Sequence, residues 1–283
     1  MRRAVIGRVL MIGIAVSGLV LLLGCPSRDD SNAIVTKRIE STAPVRLNTK
    51  VEAVVPEEAE QAKRQVELAI RAHGGNDNLS RMRSCFICRQ IGQSTPPGQI
   101  IPTDREWQIS FPERIYVTVT LPNQSPSVEW CSESGGWLRL GASTNELPAD
   151  MLDDLRTQLY IFSLFTIRPL RNEEFILKPL PDTTVQGRPA KAIKVMQKDH
   201  PQIELDFDAQ TNLLVRIFMQ RKLPQVNALM DHQILLSQHK GFEGIQLPTH
   251  WIESNDGQVR MNLDNAEYRF PAEIPAKVFE KPE

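Results

Sequence analysis

The chain has 283 residues and a formal net charge of −1, with 33 Lys and Arg against 34 Asp and Glu. Nowhere do Lys and Arg gather into the patch that a phosphate backbone requires, so a nucleic-acid partner is excluded. A hydrophobic fraction of 41% supports a sizeable core, and beyond Leu23 no apolar run is long enough to cross a bilayer as a helix.

The chain opens Met1-Arg2-Arg3, then Arg8, then an apolar run from Val9 to Leu23 that ends on Leu22-Leu23-Gly24-Cys25. Pro26-Ser27-Arg28-Asp29-Asp30 is polar at once. A basic start, a short apolar centre and small residues before a cleavage point describe an export signal. The apolar run falls short of the roughly 20 residues of a spanning helix. With Cys25 directly after Leu-Leu-Gly, the segment resembles a bacterial lipoprotein signal. That resemblance implies removal of residues 1–24, diacylation of the Cys25 sulfur and anchoring of the chain to a membrane through the lipid. Two or three acyl chains anchor stably where one does not. Pro26 is not the Asp that retains some lipoproteins at the inner membrane, which tilts the expectation towards the outer membrane. Residues 25–55 have few apolar positions and no period. They read as a flexible tether with a reach of about 30 Å.

The folded domain is expected over residues 56–283. Pro56 opens a helix whose first turn carries Glu57, Glu58 and Glu60 and whose end carries Arg71 and His73, as the helix dipole favours. Ala59, Ala62, Val66, Ala69 and Ile70 form its apolar face, and Gly74-Gly75 ends it. Asp77 to Met82 predicts one more helical turn. From Ser84 the period changes to two, with strands expected at Cys85–Cys88, Trp107–Phe111 and Ile115–Leu121. Val128–Cys131 and Trp137–Leu140 flank a glycine turn and form a hairpin. Pro148 then starts a second helix, with Leu152, Leu155, Leu159 and Phe162 on one buried face. Met151, Ile161, Leu164 and Phe165 widen that face, so the helix must be covered on more than one side.

The remainder is β again. Strands are expected at Phe175–Leu177, Ala190–Met196, Ile203–Phe207, Leu213–Arg221, Ile234–His239, Thr249–Ser254 and from Gln258 to Leu263. Asn255-Asp256-Gly257 is a hairpin turn. These strands, mostly hairpin-connected, with two helices make an α+β fold. A sheet that long curls or splits, and the inserted helix is its natural cover.

Three cysteines follow Cys25. In an exported chain disulfides persist, which leaves Cys131 free to bridge to Cys85 or Cys88. Cys85 and Cys88 lie on one expected strand, about 10 Å apart, beyond the reach of a mutual disulfide. The five histidines read as scattered surface residues without a metal site. Asp206 and Asp208 share a strand face and read as solvated turn formers. No nucleophile elbow, phosphate loop or zinc-protease motif is present, so neither catalysis nor a cofactor is expected.

The helix ending Ala72-His73-Gly74-Gly75, followed by Leu79 and a strand, resembles the start of LolA/LolB-like lipoprotein carriers and related outer membrane lipoprotein-sorting homologues. Val185-Gln186-Gly187-Arg188-Pro189-Ala190 before a charged strand is similar to the same family. So are Leu205-Asp206-Phe207-Asp208 before Thr211-Asn212-Leu213-Leu214, and Gly244-Ile245-Gln246-Leu247-Pro248 before the closing strands. The resemblance spans roughly residues 60–270. It implies a long antiparallel sheet curled into an unclosed half-barrel around helices, with a cavity for acyl chains. LolA is a soluble carrier and LolB a lipid-anchored receptor; Cys25 resembles the second arrangement. Trp107, Phe111, Trp130, Trp137, Tyr160, Phe162 and Phe165, with Leu155 and Leu159, are the candidate cavity-lining residues. The expectation is an envelope lipoprotein facing the periplasm that binds a lipid or a lipoprotein's acyl chains. Its alternative is a non-catalytic interaction module with a filled core.

Overall fold

The computed structural model describes residues 55–96, 99–223 and 228–281. Cys25, the signal segment and all of the tether but Val55 lie outside the described residues. Helix α1 (Pro56–Ala72) has Pro at its start, Glu57 and Glu58 in its first turn and Arg71 in its last. Ala62, Val66, Ala69 and Ile70 are its buried stripe, as the helical spacing predicts. The short α2 (Gly75–Leu79) and a 3-10 turn (Ser80–Met82) lead into the sheet.

Six strands follow: β1 (Cys85–Ser94), β2 (Ile101–Ser110), β3 (Arg114–Thr120), β4 (Ser127–Ser132), β5 (Gly135–Leu140) and β6 (Ser143–Glu146). Helix α3 (Ala149–Phe165) and a 3-10 turn (Arg168–Arg171) interrupt them. The second half comprises β7 (Phe175–Pro179), β8 (Thr183–Val185), β9 (Arg188–Gln197), β10 (Ile203–Asp208), β11 (Leu214–Leu223), β12 (Ala228–Phe242), β13 (Ile245–Asn255) and β14 (Gln258–Arg269).

All described strands join one antiparallel sheet in the order β6-β5-β4-β3-β2-β1-β14-β13-β12-β11-β10-β9-β7, with β8 also on β9. The sheet does not close, because β6 and β7 pair on one side only. This is the α+β sheet with a covering helix that the strand pattern predicts, and the unclosed half-barrel that the resemblance implies. The strands the pattern misses, β6 and β8, are four and three residues long and mostly polar.

Alternation assigns the faces. Ile115, Val117 and Val119 of β3 and Ile203, Leu205 and Phe207 of β10 point to one continuous core, shared with α1 and α3. Helix α3 fills the concave side. Its Phe162 ring lies 5.8 Å from each of Phe86, Trp107 and Trp251, and its Phe165 ring 5.3 Å from Trp251.

The end of α1 is pinned by His73. A carbonyl only accepts, so His73 Nδ1–H donates to Gln246 O at 2.7 Å, while Nε2 accepts the Leu214 N–H at 3.0 Å. Both nitrogens are used by the neutral ring. Burial, reinforced by His239 alongside, holds the His73 pKa down to about 3. Gly74 at φ +113° lets the chain pass so close to β13 that a Cβ there would sit 2.1 Å from Gly244 O. Gly75 at φ +83° has nothing within 4 Å of such a Cβ. Gly74→Ala therefore meets both strain and backbone overlap and is expected to cost well over about 2 kcal/mol, whereas Gly75→Ala costs about 1 kcal/mol from its left-handed φ alone. Urea midpoints of the two variants check this order; equal losses would refute the close-approach argument.

Candidate functional site

The buried core runs continuously from the sheet to α3. Between α3 and the central strands there remains a void of about 60 Å³, with an apolar side of Trp107, Phe162, Trp251 and Leu263. Its other side is polar: Arg105 of β2, Asp154 of α3, Arg221 of β11, and His232, Glu253 and Asn255 from β12 and β13. Asp154 accepts from Arg221 at 2.5 Å, and the His232 and Asn255 side chains are hydrogen-bonded at 2.8 Å. Nearby, Glu129 is 3% exposed. Burial pushes its pKa up to about 7 against the pull of Arg105, whose own pKa burial lowers.

The larger space lies on the other side of α3. A groove of about 860 Å³ runs across the end of the half-barrel where the β2–β3, β4–β5 and β9–β10 turns gather. Phe111 and Pro112 come from the first of these turns, Leu159 and Tyr160 from α3, Leu79 from α2 and Phe175 from the start of β7. Arg83, Arg156, Arg168 and His200 stand among them. The Tyr160 ring stacks on His200 with centroids 4.1 Å apart. Tyr160 is 5% exposed, its hydroxyl has no hydrogen-bond partner, and burial raises its pKa.

The expected cavity residues thus separate into three places. Trp107 and Phe162 line the small void, with Leu155 and Phe165 in the core around it. Phe111, Leu159 and Tyr160 line the groove. Trp130 and Trp137 line neither. They pair with each other and with Tyr116 on the convex face, their rings 5.9 Å apart. The cause is register: β3 directs Ile115 and Val117 inward, so their partners Cys131 and Glu129 face inward and Trp130 faces out. Residues 271–281 cover it there, and the Trp130 indole N–H donates to Glu280 O at 3.2 Å. Phe175, Arg156 and His200 are groove residues absent from the expected set.

Other expectations are corrected. Cys85, Cys88 and Cys131 are all free thiols, so the disulfide from Cys131 is not formed. Cys131 aligns with Ile115, Ile109 and Phe86 across β4-β3-β2-β1. Three strand spacings, about 14 Å, separate it from β1, twice what a disulfide spans. Cys85 also faces out, packed with Ile274 and Phe279, while Cys88 faces in. Asp206 is fully buried rather than solvated. Arg216 binds it and Glu204 together, while burial pushes its pKa up to about 7. Asp208 does cap its turn, accepting from the N–H groups of Gln210 and Thr211, but it too is buried. The histidines are not scattered over the surface, since His73 and His232 are buried and His239 donates to Leu214 O from a site where burial lowers its pKa to about 4.

No family model matches the chain, and no curated protein does. Solved structures do. A LolA superfamily protein from Nitrosomonas europaea aligns with TM-score 0.52 at 13% identity, over 78% of this chain and 97% of that one. A DUF1329 family protein from Desulfovibrio piger gives 0.49 at 13% identity, over 77% and 97%. A Vibrio parahaemolyticus domain named for outer membrane lipoprotein sorting gives 0.47 at 11%, over 77% and 97%. The first of these likenesses gives the chain a LolA-like fold: an unclosed antiparallel half-barrel around helices.

Glu129 supplies a test of the interior. Between its ordinary value of 4.5 and about 7 the folded protein holds a proton that the unfolded chain has released. Its contribution to stability therefore falls as pH rises through that window. Glu129→Gln removes the effect, so the variant should gain on the parent by about 1.4 kcal/mol per pH unit, some 3 kcal/mol in all between pH 4.5 and 7. Denaturant titrations at pH 4.5, 6 and 7.5 measure the difference; a gap independent of pH would show Glu129 to be solvated.

Proposed function

We propose that the protein is a lipid-anchored, non-catalytic envelope protein that holds the apolar part of a lipid, or of a lipoprotein's acyl chains, in the groove beside α3. The observation that carries this reading is the groove itself. Its volume of about 860 Å³ lies in the range of small-molecule sites, and aromatic and aliphatic side chains wall it from α2, α3, β7 and the β2–β3 turn. The LolA-like fold supports the same reading. Cys25 supplies the anchor after removal of residues 1–24, and the tether lets the domain stand off a periplasmic membrane face, the outer membrane favoured by Pro26. The packed interior, taken alone, favours the second reading, an envelope interaction module with no small ligand.

Two measurements test the proposal. Cells fed an alkyne analogue of palmitate should label the parent protein, and Cys25→Ala should abolish that label while a residual label of equal strength would sink the anchor. The full chain in a phosphatidylcholine nanodisc should crosslink to a neutral diazirine-bearing monoacylglycerol through peptides containing Phe111, Leu159 and Phe175. Crosslinks absent from those peptides would favour the module without a ligand.

A further inference from the structure

The charges of the groove do not cancel pairwise. Glu133 is held by Arg114 in a fork, with Nη2 to Oε1 at 2.9 Å, and Arg171 is held by Glu67 at 2.6 Å. Among the described residues, Glu174 accepts only from the Gln197 amide, and Arg168 donates only to the neutral Asn76 side chain. Arg83, between α2 and β1, and Arg156, on α3, form neither an ion pair nor a side-chain hydrogen bond among the described residues, although both line the groove and both are exposed. That leaves three guanidinium charges, of Arg83, Arg156 and Arg168, against the carboxylates of Glu113 and Glu174. The buried hydroxyl of Tyr160 is a further donor without an acceptor.

Free forked donors next to an aromatic wall suit a ligand with one apolar chain and one compact anionic head, because charge-assisted bonds from arginine to phosphate or carboxylate are the strong ones. A volume of this size suits one such molecule.

We infer that the groove selects a single-chain anionic amphiphile, its phosphate or carboxylate head met by Arg83 and Arg156 and its chain laid on Phe111, Leu159 and Phe175. The inference rests on the groove being the lipid site, and it adds the sign of the ligand's charge. It also makes the two arginines specificity residues rather than solvent-facing ornaments of the rim.

The experiment compares three diazirine-bearing probes of equal chain length on the full chain in phosphatidylcholine nanodiscs: dodecyl phosphate, dodecyl maltoside and dodecyltrimethylammonium. Dodecyl phosphate should label the groove peptides about tenfold more efficiently than the other two, an advantage of ~1.4 kcal/mol. The double variant Arg83→Gln/Arg156→Gln should bring phosphate labelling down to the maltoside level while leaving maltoside labelling unchanged. Both positions are exposed, so the fold is expected to persist, which thermal unfolding confirms. Inorganic phosphate in excess should compete weakly; if it suppresses labelling as well as unlabelled dodecyl phosphate does, the site is one for free phosphate and the amphiphile is overturned. Equal labelling by all three probes overturns the charge preference alone. Labelling by none overturns the groove as a lipid site as well.

Discussion

An antiparallel sheet of this length that fails to close has a concave face it cannot cover by itself. Helix α3 meets that need, and most other features follow from it. β1 and β14 pair although they are remote in sequence, which sets the two halves of the sheet side by side. Phe162 and Phe165 on α3 then reach strands of both halves at once, touching Phe86 and Trp107 on one and Trp251 on the other. Such aromatic pairs add roughly 0.5–1.5 kcal/mol each beyond the area they bury. The second cover, α1, is not left to apolar contact alone. His73 ties it to β11 and β13 through both ring nitrogens, and the Arg171–Glu67 fork ties it to the turn after α3.

The same arrangement explains which features a sequence pattern can show. Strand β3 alternates cleanly because one face meets α3's core and the other is half-exposed, and α1 shows Pro, acids and an apolar stripe because each acts within the helix itself. The pattern misleads at β4. Val128-Glu129-Trp130-Cys131 suggests that tryptophan faces in and glutamate out, since a buried carboxylate is rare. The pairing of Tyr116 with Trp130 reverses that, and it is affordable only because residues 271–281 return over the convex face to cover the tryptophan. Nothing periodic in Pro271 to Lys281 announces this, so two of the expected cavity aromatics land on the wrong side of the sheet. Asp206 fails for a related reason. Its burial depends on Arg216 from the neighbouring strand, a partner fixed by register rather than by local sequence.

Buried charge is consequently found on both faces, and it does different things. On the convex face Arg216 bridges Glu204 and Asp206, fixing the β10–β11 register. Removing one partner from such a site costs more than the pair gains, because the other charge stays buried. On the concave face Glu129, Arg105, Asp154 and Arg221 occupy the space where a lipid carrier would be expected to be wholly apolar. A chain passing deep between the sheet and α3 would have to desolvate against them.

That bears on where a ligand would sit. Opening the interior means lifting α3 and exposing Leu155, Phe162, Leu164 and Phe165, each worth about 1.5–3 kcal/mol of burial. The sum, on the order of 6–12 kcal/mol, is as large as the whole stability of an ordinary domain. The residual void of about 60 Å³ gives an entering chain no foothold from which to recover that cost. The groove asks for no such movement. It is already formed, it already presents Phe111, Leu159 and Phe175, and it lies on the face of α3 turned away from the buried charges. The helix that makes the half-barrel stable therefore also moves its usable apolar surface to the outside of the plug.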